Sequence, residues 1–220
     1  AISFFRMANM LRVTKDVWDE QSYIDECFKV WRKWQGKEQP GFWIDMDMIP
    51  FGQLQLMSPP SVDSSKTVLD KGDIALSGKG VHRECQLTKP QMETFITMRA
   101  LAASPLMMGG DLPSLNDFAL KLITNSDMLA CNQNGVMGSL IIEEPGLETW
   151  RVFQQDFVNQ GWIGIFNRSI DKISFSLDAY RLGFADETYT LYDVWNRKEL
   201  LYGSMIDLEP NGVLFIKFGD

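Results

Sequence analysis

Arg12 and Asp16, the two ends of Arg-Val-Thr-Lys-Asp, are the residues whose types and spacing first suggest chemistry. A guanidinium can hold sugar hydroxyls with its fork of donors, while a carboxyl beside it exchanges a proton with a glycosidic oxygen. Two further acid-bearing segments follow. One is Gly41-Phe-Trp-Ile-Asp-Met-Asp-Met-Ile-Pro-Phe-Gly52, which contains Asp45 and Asp47; the other is Ser104-Pro-Leu-Met-Met-Gly-Gly-Asp-Leu112, which contains Asp111. Taken singly, an acid near an arginine is most often a surface ion pair worth about 0–1 kcal/mol. Asp45 and Asp47 could equally cap the loop that follows them.

Each of these segments comes after a short apolar run, and helical patterns lie between them. Phe4 to Leu11 predicts a strand running into Arg12. From Trp18 to Trp34 the residues Ile24, Cys27, Phe28, Trp31 and Trp34 recur at three- and four-residue spacing, which predicts an amphipathic helix ended by the Gly36–Pro40 breakers. Phe42-Trp-Ile44 predicts a short strand, and Gln53 to Gly80, rich in Ser, Pro, Gly, Asp and Lys, predicts a long loop. Thr88, Pro90 and Gln91 form a capping-box signature ahead of a helix carrying Met92, Phe95, Ile96 and Leu101. Leu106-Met-Met108 predicts the next strand, and Leu115 to Ala130 one or two helices broken at Asn125-Ser126.

Strand, acidic tip and helix in repetition is how a (β/α) barrel displays chemistry at the carboxyl ends of its strands. A barrel of this type needs eight strands, and an open parallel sheet of three leaves bare edges. The fold class expected is therefore α/β: the C-terminal three βα units of a (β/α)8 TIM barrel over residues 1–140, followed by an antiparallel β-sandwich over 141–220. The start Ala1-Ile-Ser-Phe-Phe is read as a cut through a longer chain, so a missing signal peptide says nothing of compartment.

After Gly135–Gly146 the pattern becomes all-β. Trp150–Phe153, Gly161–Asn167, Lys172–Leu177, Thr188–Asp193, Ser204–Leu208 and Val213–Phe218 are short strand-like runs separated by turn clusters such as Pro210-Asn-Gly. No helix is expected among them.

The formal charge of −8, from 29 acids against 21 bases, argues against nucleic acid or an anionic membrane surface as partner and is no obstacle to a neutral sugar. Three cysteines, Cys27, Cys85 and Cys131, form no CxxC pattern, and His82 is the single histidine. A zinc site, a histidine-based metal cluster and a Ser-His-Asp triad are thus poorly supported, and no metal or other cofactor is expected. His82, beside Arg83 and Glu84, reads as solvated. No apolar run approaches the ~20 residues needed to cross a bilayer. Most of the seven tryptophans are expected in the core, with sugar stacking as the other use.

Arg-x-x-x-Asp after a strand, Trp-x-Asp-x-Asp-Met with a later Gly, and Ala-x-x-Pro-Leu-Met-x-Gly-x-Asp-Leu after a helix resemble the α-galactosidase family of the melibiase clan, retaining glycoside hydrolases that include α-N-acetylgalactosaminidases. Asn132-Gln133 resembles the end of the last barrel helix there, and Tyr189 to Asn196 resembles part of the C-terminal domain. The resemblance implies double-displacement hydrolysis of terminal α-galactosyl residues. It assigns Asp16 as the general acid/base and Arg12 as a ligand of a sugar hydroxyl. Asp45 and Asp47 would support the site from the strand-seven tip, and Asp111 has no catalytic role. The family's nucleophile lies on an earlier strand, so residues 1–220 would be inactive alone and would need the N-terminal part of the barrel as their partner. A secreted or periplasmic location also goes with the resemblance. Lys15 stands where many members have Gly, and Ile44 and Met46 replace Asn and Pro, which bears on fine specificity. The other readings are a carbohydrate-binding protein that does not cut, and another clan activity: α-N-acetylgalactosaminidase, isomaltodextranase, or action on α-glucan or β-arabinopyranoside ends.

Overall fold

A computed structural model describes residues 8–37, 40–56 and 81–220. Its first half runs β1 (Met10–Arg12), α1 (Gln21–Trp34), β2 (Trp43–Asp45), β3 (Met48–Ile49), β4 (Gln53–Leu56), β5 (Val81–Glu84), α2 (Lys89–Leu101), β6 (Met107–Met108), α3 (Asp117–Ile123) and α4 (Ser126–Gln133). β1 pairs in parallel with β2, with Arg12 opposite Asp45, and β3 pairs in parallel with β6. β2 and β3 are one path bent at Asp47, whose φ of 73° is left-handed. Three parallel segments therefore stand side by side in chain order, and the bend exposes different halves of the middle one to its two neighbours.

The predicted strand from Phe4 falls partly on residues outside the described ones; the observed strand ends on Arg12 itself. α1 starts at Gln21, not Trp18. The reason lies in Asp19, whose carboxylate is tied to Arg83 and the Gln86 N–H and holds the preceding segment out of the helix. Helix α2 is as predicted: Gln91 Oε1 accepts the Thr88 N–H at 2.9 Å, and Thr88 Oγ1 accepts the Gln91 N–H at 3.4 Å. Asn125 breaks the next helical stretch by capping α4, its Oδ1 accepting from the Asp127 and Met128 amides at 2.9 and 3.0 Å. The long-loop reading of Gln53–Gly80 needs correction at its start, because Gln53–Leu56 is a strand antiparallel to β5. Four residues hold too little periodicity to announce a strand, and its partner is distant in sequence. Residues 57–80 lie outside the described ones, as does the predicted solvated side chain of His82, whose backbone belongs to β5.

The second half is antiparallel. β7 (Ser139–Glu144), β8 (Leu147–Phe153), β9 (Gly161–Asn167), β10 (Ile173–Ser176), β11 (Thr190–Asp193), β12 (Lys198–Leu200), β13 (Met205–Leu208) and β14 (Val213–Gly219) follow one another. Six of them form a sheet of order β12-β11-β14-β9-β8-β7, and β10 pairs with β13 separately. The sequence missed β7 and β12, both edge strands in the described sheet. Leu140-Ile-Ile142 does not alternate, and β12 is only three residues long. A single 3₁₀ turn, Tyr180–Leu182, interrupts the strands.

Period-2 alternation sorts the sheet's two faces. Trp150, Val152, Trp162, Phe166, Val213 and Phe215 join the core of α1 and α2, while Ile163, Ile165, Leu214, Ile216 and Phe218 pack with Phe175 and Leu208 of the β10–β13 pair. β9 is buried along its whole length, which is why Gly-Trp-Ile-Gly-Ile-Phe shows no polar alternation. A Cβ at Gly164 would sit 2.6 Å from Phe166 Cε2 and 2.7 Å from Leu101 Cδ1, so these two side chains would have to shift to admit it. Of the tryptophans, Trp31, Trp150 and Trp162 are core.

Glu93 on α2 lines a cleft with Asp193 and Asn196. Burial first, and the Asp193 carboxylate second, push its carboxyl up to about 7, against the pull of Lys89. The folded pKa exceeds the ordinary 4.5, so this group's contribution is fully present below pH 4.5 and is lost as pH rises through 7. A shift of that size corresponds to ~3 kcal/mol, reduced to about 1–2 kcal/mol because the side chain is still partly in water. Glu93→Gln is therefore expected to raise the unfolding midpoint by about 3–6 °C at pH 8 and leave it unchanged at pH 4. Thermal melts at the two pH values check this; equal shifts at both would show that ionisation is not the cause.

Candidate active site

Arg12 is the last residue of β1, and parallel pairing puts it level with Asp45. One guanidinium nitrogen, Nη2, reaches both Asp16 Oδ1 at 3.1 Å and Asp47 Oδ2 at 2.8 Å, and Nε donates to the Thr14 carbonyl at 3.1 Å. The arginine thus joins the two acid-bearing tips predicted from sequence. Asp16 stands out in solvent, its side chain 86% exposed, whereas that of Asp47 is 16% exposed. Asp47 Oδ2 also accepts the Val17 N–H at 2.6 Å, which pins the Arg12–Val17 turn against the strand-two tip. Asp45 is buried and supports the backbone: its Oδ1 accepts the Asp47 N–H at 2.8 Å and braces the bend. Asp111 is exposed and lies at the end of the β6 segment, where its backbone bridges to Gln53. It does not join the cluster by any described contact.

Sequence reasoning missed two supports. Asp19 is one. Burial alone would raise its carboxyl, but the paired Arg83 guanidinium and the Gln86 N–H outweigh that and hold it below the ordinary carboxylate range. Asp19 so anchors the turn that carries Asp16 to β5. Arg99 is the other. This fully buried residue of α2 donates to the carbonyls of Met46, Asp47 and Met48, the residues of the bend. A lone cation inside Phe95-Ile-Thr-Met-Arg-Ala-Leu101 was the available signal. Asn132, singled out in the sequence, ends this chain of supports by donating to the Ser104 carbonyl at 2.8 Å and the Arg99 carbonyl at 3.3 Å.

Among the described residues no group of three or more His, Cys, Asp or Glu could hold a metal ion, and no helix is long and apolar enough to cross a membrane. The three cysteines are unpaired. A cleft of about 500 Å³ lies at the opposite end of β2, around Phe42, Trp43 and Asn134, away from the acids. Chemistry, and not cavity size, marks the Arg12 cluster.

Residues 148–218 match the model of the alpha galactosidase C-terminal beta sandwich domain. The chain is 25% identical over 146 residues to alpha-galactosidase 2 of Arabidopsis thaliana, covering 66% of this chain and 29% of that protein. It is 23% identical over 193 residues to an alpha-galactosidase of Oryza sativa subsp. japonica, covering 86% and 38% respectively. Among solved structures, a GH27 β-L-arabinopyranosidase from Geobacillus stearothermophilus superimposes with a TM-score of 0.78 at 26% identity, over 97% of this chain and 45% of that one. The chain is thus similar to the C-terminal region of α-galactosidase family proteins. It spans less than half the length of each of these relatives. The β10–β13 pair and the β9–β14 face belong to the matched sandwich domain, while the Arg12 cluster lies outside residues 148–218.

Proposed function

We propose that the protein carrying this chain is a retaining glycoside hydrolase that removes terminal α-galactosyl residues from galactosides or oligosaccharides. The observation that carries this reading is Arg12, held between Asp16 and Asp47 at a strand end, in a chain whose relatives include α-galactosidases. In this reading β1, β2–β3 and β6 are the last three strands of a (β/α)8 barrel, residues 1–140 belong to the barrel and 141–220 to the sandwich. The parallel pairing in chain order supports it. So do Met10 and Met107, each more than a third exposed on β1 and β6, which suits contact with further barrel strands.

Asp16 acts as general acid/base and Arg12 binds a hydroxyl near the reacting carbon. Asp47 fixes Arg12, and Asp45 fixes the bend. A second carboxylate, from the N-terminal part of the barrel, attacks the anomeric carbon; retention requires the two carboxyls ~5–5.5 Å apart. Residues 1–220 alone are then inactive for want of that nucleophile.

The test is hydrolysis of p-nitrophenyl α-galactoside by the natural protein, with the anomer of the released sugar followed by NMR. The α anomer first supports the reading, and the β anomer first rejects the double displacement. β-L-Arabinopyranose has the ring hydroxyl arrangement of α-galactose without the hydroxymethyl group, so p-nitrophenyl β-L-arabinopyranoside is the control for sugar identity. Preference for it moves the substrate but keeps the mechanism. Binding of galactose without cleavage of either glycoside would favour a carbohydrate-binding protein.

A further inference from the structure

Arg99 makes no ion pair among the described residues, although it is completely buried. Removing a guanidinium from water is costly unless its donors are used well. Here the two Nη groups serve one short segment and Ser104, while Nε has no hydrogen-bond partner among the described residues. Nη1 donates to the Asp47 carbonyl at 2.8 Å and reaches Ser104 Oγ at 3.4 Å, while Nη2 donates to the Met46 carbonyl and, at 3.3 Å, to that of Met48. Ser104 Oγ in turn accepts the Met46 N–H at 3.1 Å. The guanidinium also lies over the Phe95 ring, 4.7 Å from its centroid.

The segment so clamped holds the strained residue of the site. Asp47 has φ 73°, a conformation that costs a non-glycine residue about 1–2 kcal/mol and persists only where the surroundings impose it. That bend separates β2 from β3 and directs the Asp47 carboxylate back to Arg12 and to the Val17 N–H. Three carbonyls converging on one cation is an arrangement that an extended strand cannot offer. Charge-assisted donation rewards the bent form specifically.

We infer that Arg99 is a positioning residue for the reaction: it holds the left-handed bend at Asp47, and through Asp47 it sets the place of Arg12. Arg99 touches neither substrate nor any reacting atom. The inference rests on the glycosidase reading for its kinetic consequence, and on geometry alone for its structural one.

A double-mutant cycle in the active protein tests it. Arg99→Met and Asp47→Asn each lower kcat/KM on p-nitrophenyl α-galactoside by about 10–100-fold, since a misplacement of ~1 Å costs on the order of 100-fold. The double variant matches the worse single one within about threefold, because both remove the same link. Arg99→Lys, which keeps charge and donors in the cavity, recovers part of the loss and serves where Arg99→Met does not fold. Effects that multiply in the double variant would overturn the inference. Hydrogen exchange by NMR on the same full-length protein reads the structural part. The Val17 amide should exchange at least tenfold faster in Arg99→Met than in wild type and to an intermediate extent in Arg99→Lys, and protection unchanged in both overturns the positioning role. If wild type hydrolyses no glycoside, the functional reading fails, and the Val17 exchange still decides for or against Arg99.

Discussion

Asp16→Ala in the active protein is expected to lower turnover of an α-galactoside with a poor leaving group by about 10²–10⁴-fold, the usual contribution of a positioned acid or base. Asp16 would place its proton on the glycosidic oxygen as that bond breaks, then take a proton from the water that releases the glycosyl-enzyme. A nitrophenolate leaves without protonation, so the first step for p-nitrophenyl galactoside should slow far less. The second step then limits, and azide should restore turnover by attacking the anomeric carbon without needing a base. Kinetics on both substrates with and without azide make the check. Equal losses on both, with no azide effect, would remove Asp16 from the acid/base role. Unchanged activity would remove the whole Arg12 cluster. Two features of the geometry favour the assignment: the Asp16 side chain is open to an incoming molecule, while Asp47 is engaged by Arg12 and Val17.

The contrast between Asp16 and Arg99 shows what the sequence could carry. Arg12 and Asp16 are close in sequence and on one turn, so their contact follows from local spacing, and the apolar runs before the acids marked β1, β2 and β6, though not β3, which lies beyond the bend. The Thr88–Gln91 box and the Asn125 break are likewise local, and the structure has both. Arg99 acts on residues about fifty positions away, through backbone carbonyls that have no residue signature. Asp19 and Arg83 are also distant in sequence, and either could have been a surface charge. Edge strands β7 and β12 failed for another reason: at a sheet's rim one face or both stay wet, so period-2 burial is weak there. The bend at Asp47 was invisible too, since an aspartate in a strand-like run gives no sign of a left-handed φ.

Trp150→Ala is expected to destabilise the chain by about 3–5 kcal/mol, the usual cost of emptying a large aromatic site in a core. Trp150 is fully buried on β8 and stacks on Trp31 of α1, with ring centroids 3.7 Å apart and planes at 20°. Beside them Phe28 meets Phe166 edge to face at 4.9 Å, and the Arg168 guanidinium covers Phe28 at 3.7 Å. These aromatics belong to one core that runs from α1 through α2 into the sheet. Their polar tips are also satisfied: Trp31 Nε1 donates to the Gly138 carbonyl at 3.0 Å and Trp150 Nε1 to Glu148 at 2.8 Å. The ion pairs at the same contact count for less. Arg32 reaches Glu143 at 2.8 Å and Glu148 at 3.1 Å, but its own side chain is 38% exposed and that of Glu143 58%. The exposed Glu143 pair contributes about 0–1 kcal/mol, and Glu148, only 14% exposed, keeps Arg168 and Trp150 Nε1 as partners when Arg32 is removed, so Arg32→Ala should cost no more than ~2 kcal/mol. Urea unfolding of the two variants against wild type measures the difference. A larger loss in Arg32→Ala than in Trp150→Ala would mean that charge, and not aromatic packing, joins the helices to the sheet. A second transition in Trp150→Ala, with the β-sheet signal melting last, would locate the failure at this contact: the stack is where α1 docks, and the β10–β13 side keeps a separate core of its own.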